Sequence, residues 1–396
     1  MYCLGKSGTG KTTLLRNLLV QDIEAGRGAG LIDVHGDLAH ELLDLIPSRR
    51  ADDLVYLRPG DPSHPIGLNL FDKVPEEKRY VTASNIVGAF KSIWRRSWGV
   101  RMEYVLFAAI SALLECEETT LLGLQRIFID PSYRSWVTRQ VSDPAVGAFW
   151  RYEFASWDSR LRNEIVAPIL NKVGALLMTP NLRNILGQVK RKIDFPFMMD
   201  RRRIFIANLQ KAELGEDKAS LLGSLIIAGF QQAALGRAEI PEEKREQFTL
   251  YVDEFQCFQT DSFATILSEA RKYGLSLILS HQFSSQLLPE IADAVFGNVG
   301  SIVSFRVGYA DAERLAKEFG GAYRPSHFTD LSNHHVLVRL LSRGNVTEPF
   351  LAKTIPPIGK VYGRRGKLTS RSKNKYGVPK DIVEGRIRRW YNAAIR

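Results

Sequence analysis

Two rhythms of apolar and polar positions run along this chain. Short apolar runs rich in β-branched and aromatic residues recur at Gly30–Asp33, Asp53–Leu57, Arg203–Leu209, Phe248–Glu254, Leu275–Ser280, Ser301–Phe305 and His335–Leu340. Runs this short and continuous have the signature of buried strands, and most are separated by stretches of helical spacing. The alternation predicts an α/β fold with a mainly parallel sheet. From about Pro75 to Lys192 the strand rhythm stops, and five of the six tryptophans (Trp94, Trp98, Trp136, Trp150, Trp157) fall there. We therefore expect residues 1–74 and 193–355 to form one nucleotide-binding core, interrupted by an all-α insertion at 75–192. A basic C-terminal tail follows at 356–396. The Trp and Arg mixture at Trp94-Arg95-Arg96-Ser97-Trp98 and Arg160-Leu161-Arg162 reads first as packed core of the helical insertion. Its second reading is a DNA surface with aromatic stacking.

Against this background Gly5-Lys6-Ser7-Gly8-Thr9-Gly10-Lys11-Thr12 stands out, because it fits G-x-x-x-x-G-K-[ST]. Glycines let successive backbone N–H groups curl around a phosphate without Cβ clashes. The helical spacing from Thr13 onward would aim a helix N-terminus at the same anion. Residues Gly5 to Thr13 are thus the predicted phosphate cradle. Lys11 would reach the β- and γ-phosphates, and the Thr12 hydroxyl would ligate Mg²⁺, so ATP and Mg²⁺ are the expected cofactors. The apolar stub Tyr2-Cys3-Leu4 leaves room for only a very short first strand, unless the chain is cut from a longer protein.

A second set of polar residues ends the later apolar runs. Asp253 and Glu254 follow Phe248–Val252 as a Walker B pair would, Asp253 holding Mg²⁺ and Glu254 polarising the attacking water. Gln282 ends the next run and is expected to sense the γ-phosphate, with His281 a neighbour rather than a catalyst. Arg271 precedes Gly274 at a helix end. It reads either as a basic residue at a helix C-terminus or, in a ring, as a finger reaching the next subunit's nucleotide. Asp33 either orders the Mg²⁺ shell or caps a turn.

Composition narrows the setting. No apolar run approaches the ~20 residues that span a bilayer, and the start has no signal-peptide pattern. The three cysteines, Cys3, Cys116 and Cys257, are too scattered for a zinc site or a disulfide framework, so a cytoplasmic location is expected. The formal net charge is +11, but from Gly359 onward there are 12 Lys/Arg against 2 Asp/Glu, leaving 42 against 41 in the rest. The body is neutral and the tail basic, which suits either nonspecific phosphate contact or a solvated end.

Together these residues resemble the FtsK/HerA-like motor ATPases, most closely the VirD4/TraG/TraD branch of type IV secretion (conjugative) coupling proteins. The resemblance rests on Gly5–Thr12, Leu31-Ile32-Asp33-Val34-His35-Gly36-Asp37-Leu38 and Leu250–Phe255. It also draws on Leu267–Leu275, the segment ending at Gln282, and Gly297-Asn298-Val299-Gly300, and it covers roughly residues 1–355. It implies a RecA-like P-loop NTPase fold and a hexameric ring that moves DNA with ATP. In that ring Lys11 and Thr12 would serve nucleotide and Mg²⁺, Asp253 and Glu254 hydrolysis, Gln282 sensing, and Arg271 the neighbouring site. Relaxase or secretion-channel partners are implied as well. The membrane anchor of coupling proteins and the barrel of HerA proteins are both missing from this chain, and Val34 stands where the family commonly has Pro. A HerA-like translocase unconnected to secretion, a VirB4-type protein-secretion ATPase and a nucleotide-binding adaptor with little turnover are the rival expectations.

Overall fold

The computed structural model describes residues 1–342 and 344–393. The chain forms two compact units: Met1–Leu57, Phe195–Ala212 and Phe230–Thr369 make the first, and Arg58–Asp194, Glu213–Gly229 and the residues from Ser370 on make the second. The strands of the first unit are β1 (Tyr2–Leu4), β2 (Gly28–Asp33), β3 (Leu54–Leu57), β4 (Ile204–Asn208), β5 (Phe248–Val252), β6 (Leu275–His281), β7 (Ile302–Ser304) and β8 (His335–Arg339). A small hairpin, β9 (Leu341–Ser342) and β10 (Asn345–Val346), leads to β11 (Phe350–Lys353).

Nine strands form one sheet in the order β11-β8-β7-β1-β6-β5-β2-β4-β3. From β7 to β3 every pair is parallel, whereas β8 and β11 add antiparallel pairs at one end. The predicted mainly parallel sheet is therefore present. β1 is three residues long and lies inside the sheet, paired on both sides, with Tyr2, Cys3 and Leu4 all fully buried. β11 lacked a signal in the sequence: it is an edge strand, and Phe350 and Leu351 remain exposed.

Both faces of the sheet are covered. Leu15, Leu19 and Ile23 of the helix Lys11–Glu24 and Leu38 and Leu42 of the helix Asp37–Leu43 pack over Leu31, Ile204 and Ile206. Phe205 alternates with Ile204 and Ile206, so it points to the other face. There Phe230 stacks 5.0 Å from Phe248 and lies 4.8 Å from Phe195 and 5.5 Å from Phe205, ring centre to centre. Burying each such side chain stabilises the fold by roughly 1.5–3 kcal/mol.

The second unit is helical. Its segments include Arg79–Ile93, Val100–Leu114, Gly123–Ile129, Pro131–Gln140, Ser159–Leu177 and Pro180–Leu186. Asp130 and Asp143 each accept two backbone N–H bonds ahead of a first-turn proline, which is why helices start at Pro131 and Pro144. One turn of π-helix, Phe149–Phe154, brings Trp150 to 4.9 Å from Phe154, with Trp157 5.1 Å beyond. The Arg134 and Arg162 guanidinium groups lie 5.1 and 5.0 Å over the Phe154 ring. This part of the Trp and Arg mixture is packing.

The basic C-terminal segment is helical too, at Arg365–Tyr376 and Lys380–Asn392. Val383 and Ile387 are buried in the second unit. Arg126 donates to Trp390 O (2.7 Å) and Ala393 O (2.9 Å) while its guanidinium stacks 5.0 Å over the Trp390 ring. Asp130, 2.8 Å away, balances that charge. Among the described residues no single helix is long and apolar enough to cross a membrane.

Candidate active site

The chain leaves β1 inside the sheet and turns through the glycine-rich loop into the helix Lys11–Glu24. Two of the glycines are required for different reasons. A Cβ on Gly5 would sit 2.5 Å from Phe305 Cβ, so close approach excludes any other residue. Gly10 has φ +118, a conformation that L side chains avoid. The loop is anchored to the sheet by the N–H groups of Gly5 (to His281 O, 3.4 Å) and Lys6 (to Arg306 O, 2.8 Å). The Thr9 hydroxyl closes it onto Lys6 O at 2.7 Å. Lys6, Ser7, Gly8 and Thr12 are exposed, and Thr13 is half-buried. Lys11 is buried, with Nζ donating to Gly5 O (2.5 Å) and Lys6 O (3.0 Å), and burial pulls its pKa down.

Topology brings the remaining residues to the same edge. Strands β1, β6, β5 and β2 are adjacent and parallel, so their C-terminal ends line up. Leu4 pairs with His281, Val252 with Leu279, and Ile32 with Val252. Gly5, Gln282, Asp253-Glu254 and Asp33 therefore emerge along one crevice edge, where open α/β sheets bind ligands.

Asp253 and Glu254 are 6% and 7% exposed. Burial, then the charges of Asp33 and Glu254, push the Asp253 carboxyl up to about 6. Glu254 behaves oppositely. Burial pushes its carboxyl up, but His35, Gln256 and Gln282 outweigh that and hold it at about 2. Gln282 Nε2 donates to Oε1 at 3.0 Å, Gln256 Nε2 donates to Oε2 at 2.5 Å, and His35 Nε2 lies 3.8 Å from Oε1. The same carboxylate raises the pKa of the His35 imidazole. Glu254 adopts φ 50, ψ 49, a left-handed backbone that is strained for a residue with a Cβ. Asp33 caps a turn: Oδ1 accepts from His35 and Gly36 N–H (2.8 and 2.9 Å), and Oδ2 accepts from Ala39 N–H (2.9 Å). His281 is fully buried beside Tyr2, and burial pushes its pKa down to about 3, leaving it neutral.

The donor set fits a magnesium nucleotide. An exposed Thr12 hydroxyl and a buried Asp253 carboxylate are hard oxygen ligands, and Lys11 supplies a cation beside them. Arg271 is not brought to this edge. It sits exposed on the turn Ala270–Tyr273, which enters β6 at the sheet's opposite end. Seven residues of strand separate that turn from Gln282, about 23 Å at 3.3 Å per residue.

Sequence reasoning missed three members of the site. His35 lies within the quoted Leu31–Leu38 segment and Gln256 lies two residues past Glu254, but neither position says which carboxylate it meets. His334 carried no signal at all. Its N–H donates to Thr9 O at 3.0 Å, its own backbone is left-handed (φ 67), and its Nδ1 lies 3.1 Å from where a Gly10 Cβ would be.

No family model matches this sequence, nor does any curated protein. Solved structures do. The bacterial conjugative coupling protein TrwB, unbound, superposes with a TM-score of 0.64 at 15% identity, covering 92% of this chain and 86% of its own. The fold is the one TrwB has. TrwB solved with ADP and Mg²⁺ gives a TM-score of 0.65 at 16% identity, covering 92% of this chain and 87% of that one. VirB4 of Thermoanaerobacter pseudethanolicus gives 0.56 at 14% identity, covering 92% and 90%. The RecA-like P-loop NTPase fold implied by the sequence resemblance is thus the observed fold, and TrwB is a coupling protein of the kind it pointed to.

Proposed function

We propose that this protein is an ATP-driven DNA translocase of the coupling-protein type, hydrolysing ATP between subunits of a ring. The observation that carries the reading is the convergence of Lys11, Thr12, Asp253, Glu254 and Gln282 on one sheet edge. The fold shared with TrwB, which has been solved with ADP and Mg²⁺, supports it. Thr12 and Asp253 would hold Mg²⁺, which when bound would neutralise phosphate charge. The N–H groups from Ser7 to Thr13 cradle the phosphates while Lys11 turns from the loop carbonyls toward them. Glu254 accepts a proton from the attacking water as Gln256 and Gln282 release its oxygens. Gln282 joins the carboxylate to the γ-phosphate position, so it reports nucleotide state. Arg271, exposed at the far end of β6 from Lys11, would act on a neighbour's nucleotide.

Steady-state ATP hydrolysis with and without DNA tests this reading. DNA is expected to raise turnover, and Glu254→Gln to lower kcat at least a hundredfold while nucleotide still binds. Nucleotide binding with no turnover in assembled protein would leave the adaptor in its place. Turnover indifferent to DNA would sink the DNA motor.

A further inference from the structure

The helix Lys380–Asn392 has a cleft on each side, both within the second unit. The first, about 300 Å³, has an apolar floor of Leu122, Val383 and Ile387, with the half-buried Trp390 on its wall. Lys190, Lys192 and Arg386 also line it, together with one acid, Glu118. The second, about 380 Å³, is lined by Tyr391, Met178, Arg183 and Arg388. Its acid, Glu384, is already engaged by Lys380 (3.8 Å) and Asn184 (3.1 Å). Among the described residues Lys190, Lys192, Arg386, Arg388 and Arg389 carry no ion pair. From Ser370 to Ala393 there are seven Lys/Arg against two Asp/Glu.

We infer that the helix Lys380–Asn392 and its two flanking clefts form a single-stranded DNA contact. The inference rests on the DNA-motor reading above and gives its substrate a surface and a strand type. Each cleft pairs an aromatic ring with unpaired cations, and each is near the small end of the range for ligand sites. That combination suits one planar base stacked on a ring while its phosphates meet the cations. A duplex keeps its bases stacked inside and offers none to such a cleft. An acidic peptide would match the charge, but its carboxylates offer neither ring an aromatic stacking face, and Arg389 adds a further cation on the same helix outside both clefts. The platform is rigid, because Arg126 fixes the end of the helix through Trp390 O and Ala393 O.

The test is fluorescence anisotropy of the full chain with labelled oligothymidine, a matched duplex and polyglutamate over a range of salt concentrations. Combined Lys190→Ala, Lys192→Ala and Arg386→Ala should weaken oligothymidine binding at least tenfold. They should also reduce the salt slope by about 2, since each lost phosphate contact removes roughly 0.7. Tyr391→Ala, at an exposed position, should weaken oligothymidine binding more than duplex binding. Basal ATP turnover should be unchanged in all of them. If the protein binds oligothymidine and the folded variants bind it equally well, this surface is wrong while the motor reading stands. If polyglutamate binds as tightly and is lost in parallel, the surface belongs to an acidic protein partner instead. If the wild-type chain binds no DNA, the motor reading fails and takes this one with it.

Discussion

Glu254 and Asp253 are neighbours in the chain with opposite protonation behaviour, and the difference is one of hydrogen bonding. Glu254 is met by two amide donors and an imidazole, whereas burial and two nearby carboxylates leave Asp253 with the higher affinity for a proton. Because the folded Asp253 titrates at about 6, above its ordinary value of 3.8, it takes up a proton as pH falls through 6. Stability from this group is therefore gained on acidification through that window and lost as pH rises through it. Metal binding has the opposite sign, because it needs the carboxylate. We expect the Mg²⁺ requirement for nucleotide binding to rise severalfold between pH 7 and pH 5, and Asp253→Asn to abolish that dependence. Mg²⁺ titrations followed with a fluorescent nucleotide would read this; an unchanged requirement across the range would place the ionised carboxylate elsewhere.

Among the elements, the helix Lys11–Glu24 has a second duty beyond facing the loop. Asn17 Nδ2 donates to Ile355 O (3.3 Å) and Pro356 O (3.0 Å), and its Oδ1 accepts the Ile358 N–H (3.0 Å). Arg16 adds a bond to Ile358 O at 2.6 Å. One buried amide thus straps the chain leaving β11 to the helix that begins at the phosphate loop. Asn17→Ala should destabilise the first unit by about 2–4 kcal/mol, the cost of stranding part-buried backbone groups. Chemical denaturation would show it as a lower midpoint with the slope unchanged. How much of this was legible follows from range. The parallel strands and the glycine-rich loop are local patterns, and the sequence runs match β2 to β8 to within a residue or two. Asn17 with Pro356, His334 with Thr9, and Arg126 with Trp390 join residues hundreds of positions apart, and no periodicity or short motif encodes such a partnership. The basic tail shows the same limit: charge counting sees twelve cations and gives no sign that Val383 and Ile387 among them are buried.

At the scale of the whole molecule, the decisive placement is Arg271, at the end of β6 farthest from the phosphate loop. If it serves a neighbour's site, Arg271→Ala and Glu254→Gln damage different halves of each shared site. Either variant alone should hydrolyse at a few per cent of the wild-type rate or less. Mixing them should restore activity, because some interfaces then combine an intact Glu254 with an intact Arg271. An ATPase assay on such mixtures decides the matter, and a mixture no faster than its components would exclude an arginine shared between subunits.

If Arg271 acts across subunits, its separation from Lys11 would also make the protein's consumption of fuel a matter of dosage. A solitary chain would then hold nucleotide without the neighbouring group that helps discharge it. At low copy number the pool would sit loaded and idle, and expenditure would begin only when chains are plentiful enough to meet.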